Sequence, residues 1–336
     1  MRKIRVAQIG IGHAHAGELW GTINRRRDLF DVVGYVVPED DILFREKDIA
    51  DYEGGTQLTL PQVLEDPSIE AVLIETDERI LSKYAILAAK AGKHIHMDKP
   101  GGMDVQEFET LISLLKEKNL VFSTGYMYRH NPQIMKLLED VKKGELGQIV
   151  SIEAQMDIYH KPEVRQKLSH MPGGNMFFLG CHMVDLVMLL QGVPEKVHPF
   201  NKPTGLDDVT TPDCCMAIME YPNSFSYVRA VDTAWGGFTR RSLTVSGTKK
   251  TVEIKPLEKY IPTTKDIFAA RTDYDINKIS ADQITERSEL FRRYDGMMEQ
   301  FVKYVCGDAK NPITYDYELN LHKTVLRCCG EKIETT

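Results

Sequence analysis

The sequence predicts an α/β protein of two domains: an N-terminal parallel sheet wrapped by helices, then a larger, mostly antiparallel open sheet. Three observations carry that prediction. The chain has 336 residues, more than one ordinary core holds and suited to two domains at about 150 residues each. Its first third alternates short apolar runs with helical patterns, the mark of parallel strands covered on both faces. From Val150 the text then switches to strict alternation. Val150, Ile152, Ala154, Met156 and Ile158 are apolar, while Ser151, Glu153, Gln155 and Asp157 are polar. Such a strand has one buried and one open face.

In order, Val6–Ile9, Val32–Val37, Ala71–Glu75, His94–Met97 and Leu120–Ser123 read as strands of the first sheet. A helix over 78–91 sets Ile80, Tyr84, Leu87 and Ala91 on one face, and Gly92 closes it. A second, over 105–117, places Phe108, Leu111, Ile112 and Leu115 at helical spacing, opened by Asp104 with Glu107 in a capping-box pattern. Asn131-Pro132 opens another helix that carries Ile134, Leu137, Leu138 and Val141 and stops at Gly144. Strands are expected at 214–221, 224–231, 241–246 and 251–254, the first two joined by a Pro222-Asn223 turn. The domains are expected at 1–122 and 123–336, with a helical closing segment near 295–330.

Composition narrows the partners. A net charge of -7 argues against nucleic acid, whose binders carry a basic stripe. No run of 18 apolar residues exists to span a bilayer. Six cysteines without a CxxC pair fit reduced thiols in a cytoplasmic protein better than disulfides or a zinc site.

Three motifs carry chemistry. Gly10-Ile11-Gly12-His13-Ala14-His15 follows a strand and opens a helix. Glycines there let backbone N–H groups reach a pyrophosphate at the helix N-terminus. His15 stands where a third glycine or alanine would ease helix–strand packing; a plain Gly-rich turn is the alternative. His96-Met97-Asp98-Lys99-Pro100-Gly101-Gly102 ends a strand, at the sheet edge where ligands bind. Lys99 reads there as a proton carrier or carbonyl polariser, against the alternative of a solvated surface lysine. Gly180-Cys181-His182-Met183-Val184-Asp185 sets His182 and Asp185 three apart on one helix face, so that Asp185 could orient the imidazole. A capping or core histidine is the alternative.

The ordered set "GIGHAHA", "AAKAGKHIHMDKP", "YMYRHNP", "GELGQI", "GGNMFFLGCHMVDL" and "LTVSGTKKTVEI" resembles the glucose–fructose oxidoreductase/inositol dehydrogenase (Gfo/Idh/MocA) family over essentially the whole chain. The resemblance implies a Rossmann domain plus an α/β domain with a large open sheet. It also implies NAD(P)-dependent oxidation or reduction of sugars and polyols, and a homodimer or homotetramer built on that sheet. Lys99 and His182 match the family's catalytic lysine and histidine. Gly10, Gly12, His13, Ala14, His15, Glu39, Thr76, Asp98, Lys99 and Pro100 fall where the cofactor would bind. Tyr128, Arg129, Asp157, His160, His170 and Asp185 fall near the substrate.

Three departures stand out. Phe178 replaces the aspartate usual four residues before the histidine. Val37 stands where an acidic residue would hold the ribose hydroxyls, with Glu39 and Asp40 as substitutes. Thr76-Asp77 replaces Thr-Pro, and Leu81 the histidine usual shortly after. They suggest a subfamily with its own substrate, or a weakened catalyst. Glu39, Asp40 and Asp41, with no Arg or Lys before Arg45, point to NAD rather than NADP, because the acids repel a 2′-phosphate. No metal site is assigned: the spacing of Asp157, His160, His170 and His182 matches no tight ligand motif. A dinucleotide-binding sensor or regulator without turnover, and an NAD-dependent glycosidase, are the alternatives in other classes.

Overall fold

The computed structural model describes residues 2–41, 49–275 and 285–333. They form two compact units, Met1–Tyr126 with Tyr294–His322, and Met127–Arg293 with Lys323–Thr336. The division falls after Tyr126, beside the boundary expected at residue 122, and most of the helical closing segment groups with the first unit. The chain leaves the first unit after Tyr126, and Tyr294–His322 come back to it. Long-range bonds hold the returning segment. Asn311 Nδ2 donates to the Phe122 carbonyl (2.9 Å), Tyr315 Oη to that of Leu120 (2.5 Å), and Thr124 Oγ1 to Glu318 (2.9 Å). Arg45 lies outside the described residues.

The first unit runs β1 (Ile4–Ile9), α1 (Ala16–Arg25), β2 (Phe30–Val36), β3 (Gln57–Leu58), α2 (Leu60–Leu64), β4 (Ala71–Ile74), α3 (Leu81–Lys90), β5 (His94–Met97), α4 (Val105–Lys118) and β6 (Phe122–Thr124). Its six strands are parallel in the order β3-β2-β1-β4-β5-β6. The order reverses beside β1, so the loops after β1 and β4 open at a switch point, where doubly wound sheets bind ligands. All four residues of β4 are buried, as a strand covered on both faces requires. Asp104 caps α4 by accepting from the Gln106 N–H at 2.7 Å, while the reciprocal capping box forms instead at Thr59 and Gln62. Helix α3 starts three residues later than expected, because residues 77–80 are tied in a turn (Ile80 N–H to Asp77 carbonyl, 3.1 Å). Its fully buried stripe is Leu81, Tyr84, Ala85, Ala88 and Ala89, with Ile80 and Leu87 partly buried against the same core and Ala91 exposed. The alanines let α3 approach α4 and β5 closely.

The second unit contains α5 (Pro132–Lys142), β7 (Ile149–Gln155), α6 (Pro162–Lys167), α7 (Cys181–Gln191), β8 (Lys196–Lys202), β9 (Cys214–Tyr221), β10 (Ser224–Val231), β11 (Ser242–Gly247), β12 (Lys250–Ile254), β13 (Lys259–Tyr260), β14 (Ile267–Phe268), β15 (Ala270–Asp275) and β16 (Thr285–Arg287). Eight strands form one mixed, mostly antiparallel sheet in the order β16-β15-β12-β11-β7-β10-β9-β8, with β7 and β10 parallel. One face, carrying Ile152, Ala154, Ala217, Met219, Val228, Leu243 and Val252, is buried. The opposite face presents the cross-strand row His198, Ile218, Tyr227, Glu153, Thr244 and Glu253. Two helices close the chain, α8 (Asp295–Cys306) and α9 (Tyr315–Cys329); α8 packs on β1 of the first unit. No helix among the described residues is long and apolar enough to cross a membrane, and all six cysteines are free.

Candidate functional site

In the first unit the loops after β1, β4 and β5 converge. Gly10 turns with φ +97°, and a Cβ on it would sit 2.4 Å from the Thr76 backbone nitrogen, so only glycine fits. A Cβ on Gly12 would lie 1.9 Å from Asp41 Oδ1. The Ile11 and Gly12 N–H groups both donate to Asp41 Oδ2 (2.7 and 2.9 Å), and the Asp77 N–H to Oδ1 (2.8 Å). Paired backbone donors on one oxygen are what a phosphate also needs. The loop's donor set therefore fits a dinucleotide's pyrophosphate, and Asp41 is the acidic group those donors hold in this structure. Burial nevertheless keeps the Asp41 carboxyl above its ordinary value, outweighing the three N–H bonds.

The histidines of the glycine loop turn inward toward β5. His13, fully buried, sets Nε2 at 3.0 Å from the Lys99 carbonyl oxygen and Nδ1 at 3.1 Å from Asp98 Oδ2. His15 Nδ1 lies 3.1 Å from the same oxygen. Burial keeps the His15 imidazole neutral, with its pKa lowered to about 4. The Lys99 N–H donates to Asp98 Oδ1 at 2.6 Å, and Lys99 is fully buried, which sets aside the solvated-lysine alternative. Pro100 follows through a cis peptide. Thr76 is buried beside Gly10, whereas Ala14 and Glu39 are exposed. Asp40 is held by Lys83 Nζ and Tyr84 Oη at 2.5 and 2.6 Å. A lysine from α3 thus sits in the acidic patch after β2, which a scan of neighbouring sequence could not reveal.

The second unit gathers Tyr128, Arg129, His182 and Asp185. A π-type turn, Met176–Gly180, leads into α7, which buries both His182 and Asp185. Such turns recur at functional sites. Arg129 grips Asp185 with both prongs, Nε to Oδ2 at 2.9 Å and Nη2 to Oδ1 at 2.8 Å. The Asp185 carboxylate is the acceptor of that fork. His182 packs edge-on against the Tyr128 ring at 5.3 Å. Asp157 accepts from Val231 N–H (3.1 Å), Gln155 Nε2 (2.6 Å) and Arg229, a tie to β10 that its expected substrate role did not include. His160 Nδ1 meets Asp232 Oδ1 at 2.9 Å, with Phe178 at 6.0 Å from its ring. His170 is half-buried at the end of a short turn, Leu168–His170.

Two family models match this chain, the "Oxidoreductase family, NAD-binding Rossmann fold" over residues 4–126 and the "GFO/IDH/MocA C-terminal domain" over residues 134–253. The chain belongs to the GFO/IDH/MocA oxidoreductase family. Among curated relatives, the uncharacterized oxidoreductase ORF334 of Rhizobium meliloti is 25% identical over 269 residues, 79% of this chain and 78% of that one. The scyllo-inositol 2-dehydrogenase (NADP(+)) IolW of Bacillus subtilis is 28% identical over 141 residues, 41% of this chain and 39% of its own length. A crystal structure from Desulfitobacterium hafniense, described as an NADPH-dependent oxidoreductase, superposes with TM-score 0.81 at 19% identity, covering 98% of this chain and 95% of that one. At that identity the likeness speaks for the fold.

This GFO/IDH/MocA oxidoreductase also holds functional-looking residues that its sequence did not flag. Glu258 is fully buried and receives Tyr128 Oη at 2.5 Å, Arg241 Nη1 at 2.8 Å and Arg293 Nη2 at 2.8 Å. Burial opposes its charge, but Arg293 and Arg241 hold the carboxyl below its usual range. Glu75 and Glu78, just beyond β4, are also fully buried. Neither carboxylate receives a hydrogen bond of normal geometry among the described residues. Acidic residues at the end of a buried strand were the available signal, and Glu75 was instead read as the strand's last residue.

Proposed function

We propose that this oxidoreductase transfers a hydride between a nicotinamide dinucleotide and a hydroxyl-bearing carbon of a sugar, polyol or inositol-like molecule. One observation carries the reading: the Gly10–Gly12 loop aims two backbone N–H groups at an acidic acceptor, in a domain that ends β5 with a buried lysine. A bound nicotinamide would supply the hydride acceptor or donor. The chain's own part is proton handling and positioning. Lys99, anchored at its N–H by Asp98 and at its carbonyl by His13, and His182 on α7 carry the hydroxyl proton. Tyr128, Arg129, Asp185, Asp157, His160 and His170 shape the polar surroundings of the substrate. The relative that acts on scyllo-inositol supports this substrate class.

NAD is the proposed cofactor, since Glu39 and Asp40 disfavour a 2′-phosphate; NADP binding tighter than NAD would reverse that choice. The deciding experiment scans NAD and NADP reduction over a panel of polyols, sugars and inositols with the purified chain. Turnover on any of them supports the reading. Dinucleotide binding with no turnover across the panel supports the sensor reading instead, which Phe178 in place of the aspartate favours.

The open face of the second sheet is proposed to pair copies into a homodimer or homotetramer. Phe200 and Phe225 stand 50% and 60% exposed on it, and apolar groups on an uncovered face favour a partner. A monomer in sedimentation at micromolar concentration rejects this. Six free cysteines accord with the reducing cytoplasm as its compartment.

A further inference from the structure

We infer that His13, His15 and Asp98 form a binding site for one divalent transition-metal cation of the zinc type. His13 Nδ1 and His15 Nδ1 each lie 3.1 Å from a single oxygen, Asp98 Oδ2, and the three ligand atoms all fall within 4.8 Å of one another. Zinc takes imidazole nitrogen at about 2.0–2.1 Å, which separates tetrahedral ligands by about 3.4 Å. The two distances to Asp98 Oδ2, 3.1 Å each, lie close to that spacing. Two imidazoles and a carboxylate favour zinc and its neighbours over magnesium or calcium, which prefer oxygen.

The chain explains why the rings point there. The Gly10–Gly12 turn carries His13 and His15 inward just before α1, and Asp98 leaves the end of β5. The 3.0 Å contact of His13 Nε2 with the Lys99 carbonyl oxygen requires the N–H to sit on Nε2. With Nε2 donating, Nδ1 faces Asp98 with its lone pair, which in this structure accepts the His15 backbone N–H at 3.2 Å, a bond that a cation on Nδ1 would replace. A carbonyl holding the outer N–H is the support that metal-bound histidines receive.

A second observation points the same way. Glu75, fully buried, brings Oε2 to 3.9 Å from that same Nδ1, and its carboxyl, which interacts with that of Asp98, has no hydrogen bond of normal geometry among the described residues. Glu78 Oε1 stands 3.4 Å from His13 Nε2. Three buried carboxylates, Glu75, Glu78 and Asp98, thus surround the histidine pair, with the Lys99 ammonium acting on the cluster. Uncompensated charge in a dry interior is expensive, and a divalent cation would offset the repulsion among these carboxylates. The rival occupant is a proton on His13, which would pair with Asp98 and leave Glu75 to be protonated.

The test uses the untagged full-length chain, stripped with chelator and titrated with Zn²⁺ by calorimetry, with Co²⁺ added in parallel to record its visible absorption. The site predicts one equivalent bound, a raised melting temperature and a Co²⁺ spectrum of mixed nitrogen and oxygen ligation. His15→Ala and Asp98→Asn, checked for folding by circular dichroism, should each weaken Zn²⁺ by about 100-fold or more, at least the loss usual for outer partners. His198→Ala, at an exposed histidine of β8, should bind as the parent does. If the stripped parent takes up no Zn²⁺ at micromolar concentration, the cluster holds protons and the proposal fails. It fails equally if His15→Ala and Asp98→Asn both bind Zn²⁺ as tightly as the parent.

Discussion

Asp41 Oδ2 accepts the Gly12 backbone N–H at 2.9 Å and the Ile11 N–H at 2.7 Å. The acid of one loop therefore occupies the donors of another, and any phosphate that needs those donors must displace it. Replacing the charge while keeping the shape, Asp41→Asn, should tighten NAD binding by roughly tenfold, about 1.4 kcal/mol, because a negative charge beside a pyrophosphate is removed. Fluorescence titration of both proteins with NAD decides it. Equal or weaker binding by the variant would show that Asp41 does not compete.

Glu258 makes a pH-dependent prediction. Its carboxylate is buried between Arg241 and Arg293, so Glu258→Gln strands two guanidinium groups and should cost about 3–5 kcal/mol at neutral pH. The folded-state pKa lies below the ordinary value. The stability contributed is therefore present above the unfolded-state pKa of about 4.3 and lost as pH falls through the folded value. Urea melts at pH 7 and at lower pH should show the gap between parent and variant narrowing on acidification. A gap that is constant or widens toward acid contradicts the assignment.

The same Glu258 marks the limit of what the sequence made legible. Its partners Tyr128, Arg241 and Arg293 lie 130, 17 and 35 positions away, and no local period links them. Asp41 was seen as one of three acids after β2, yet only tertiary folding carries it into the glycine loop. By contrast, the two-residue alternation from Val150 set out Ile152 and Ala154 on the buried face of β7, since side-chain period is a local property of a strand, although Val150 is exposed and Asp157, beyond the strand, is buried. The glycine loop was legible because only glycine tolerates the approach of Thr76 to Gly10. Strands β13 and β14, two residues each, are too short for any period to declare. The start of α3 was misplaced because a turn, set by Asp77, delayed the helix.

Lys99 and His182 yield separable kinetics. Lys99→Ala and His182→Ala should each lower turnover by about 100-fold or more, the usual contribution of a positioned acid–base group. NAD affinity should survive His182→Ala nearly unchanged, since that residue lies on α7 of the second unit, and weaken modestly in Lys99→Ala. Steady-state rates on the active substrate, together with NAD titration, separate the two effects. Undiminished turnover in His182→Ala removes that residue from the proton path.

Phe178 stands where the family resemblance implies an aspartate, so Phe178→Asp asks whether the position can take one here. The ring is buried in the π-type turn among Met176, Phe177 and Leu179, and its near polar neighbour is His160, 6.0 Å away between ring centroids. His160 is already paired with Asp232. A new carboxylate would therefore enter a buried site beside an imidazole that is already engaged, and it would also vacate the space of a phenyl ring. The cavity alone costs about 3–5 kcal/mol for a phenylalanine reduced to a small side chain, and an unpaired buried acid adds to that or stays protonated. Phe178→Asp should lower the melting temperature markedly and leave turnover unchanged or reduced. Phe178→Leu, which keeps the wall apolar, should cost far less and retain activity. A Phe178→Asp protein as stable as the parent and faster on its substrate would instead mean that the turn accommodates the acid, and that Phe178 marks a catalyst which has lost part of its proton path.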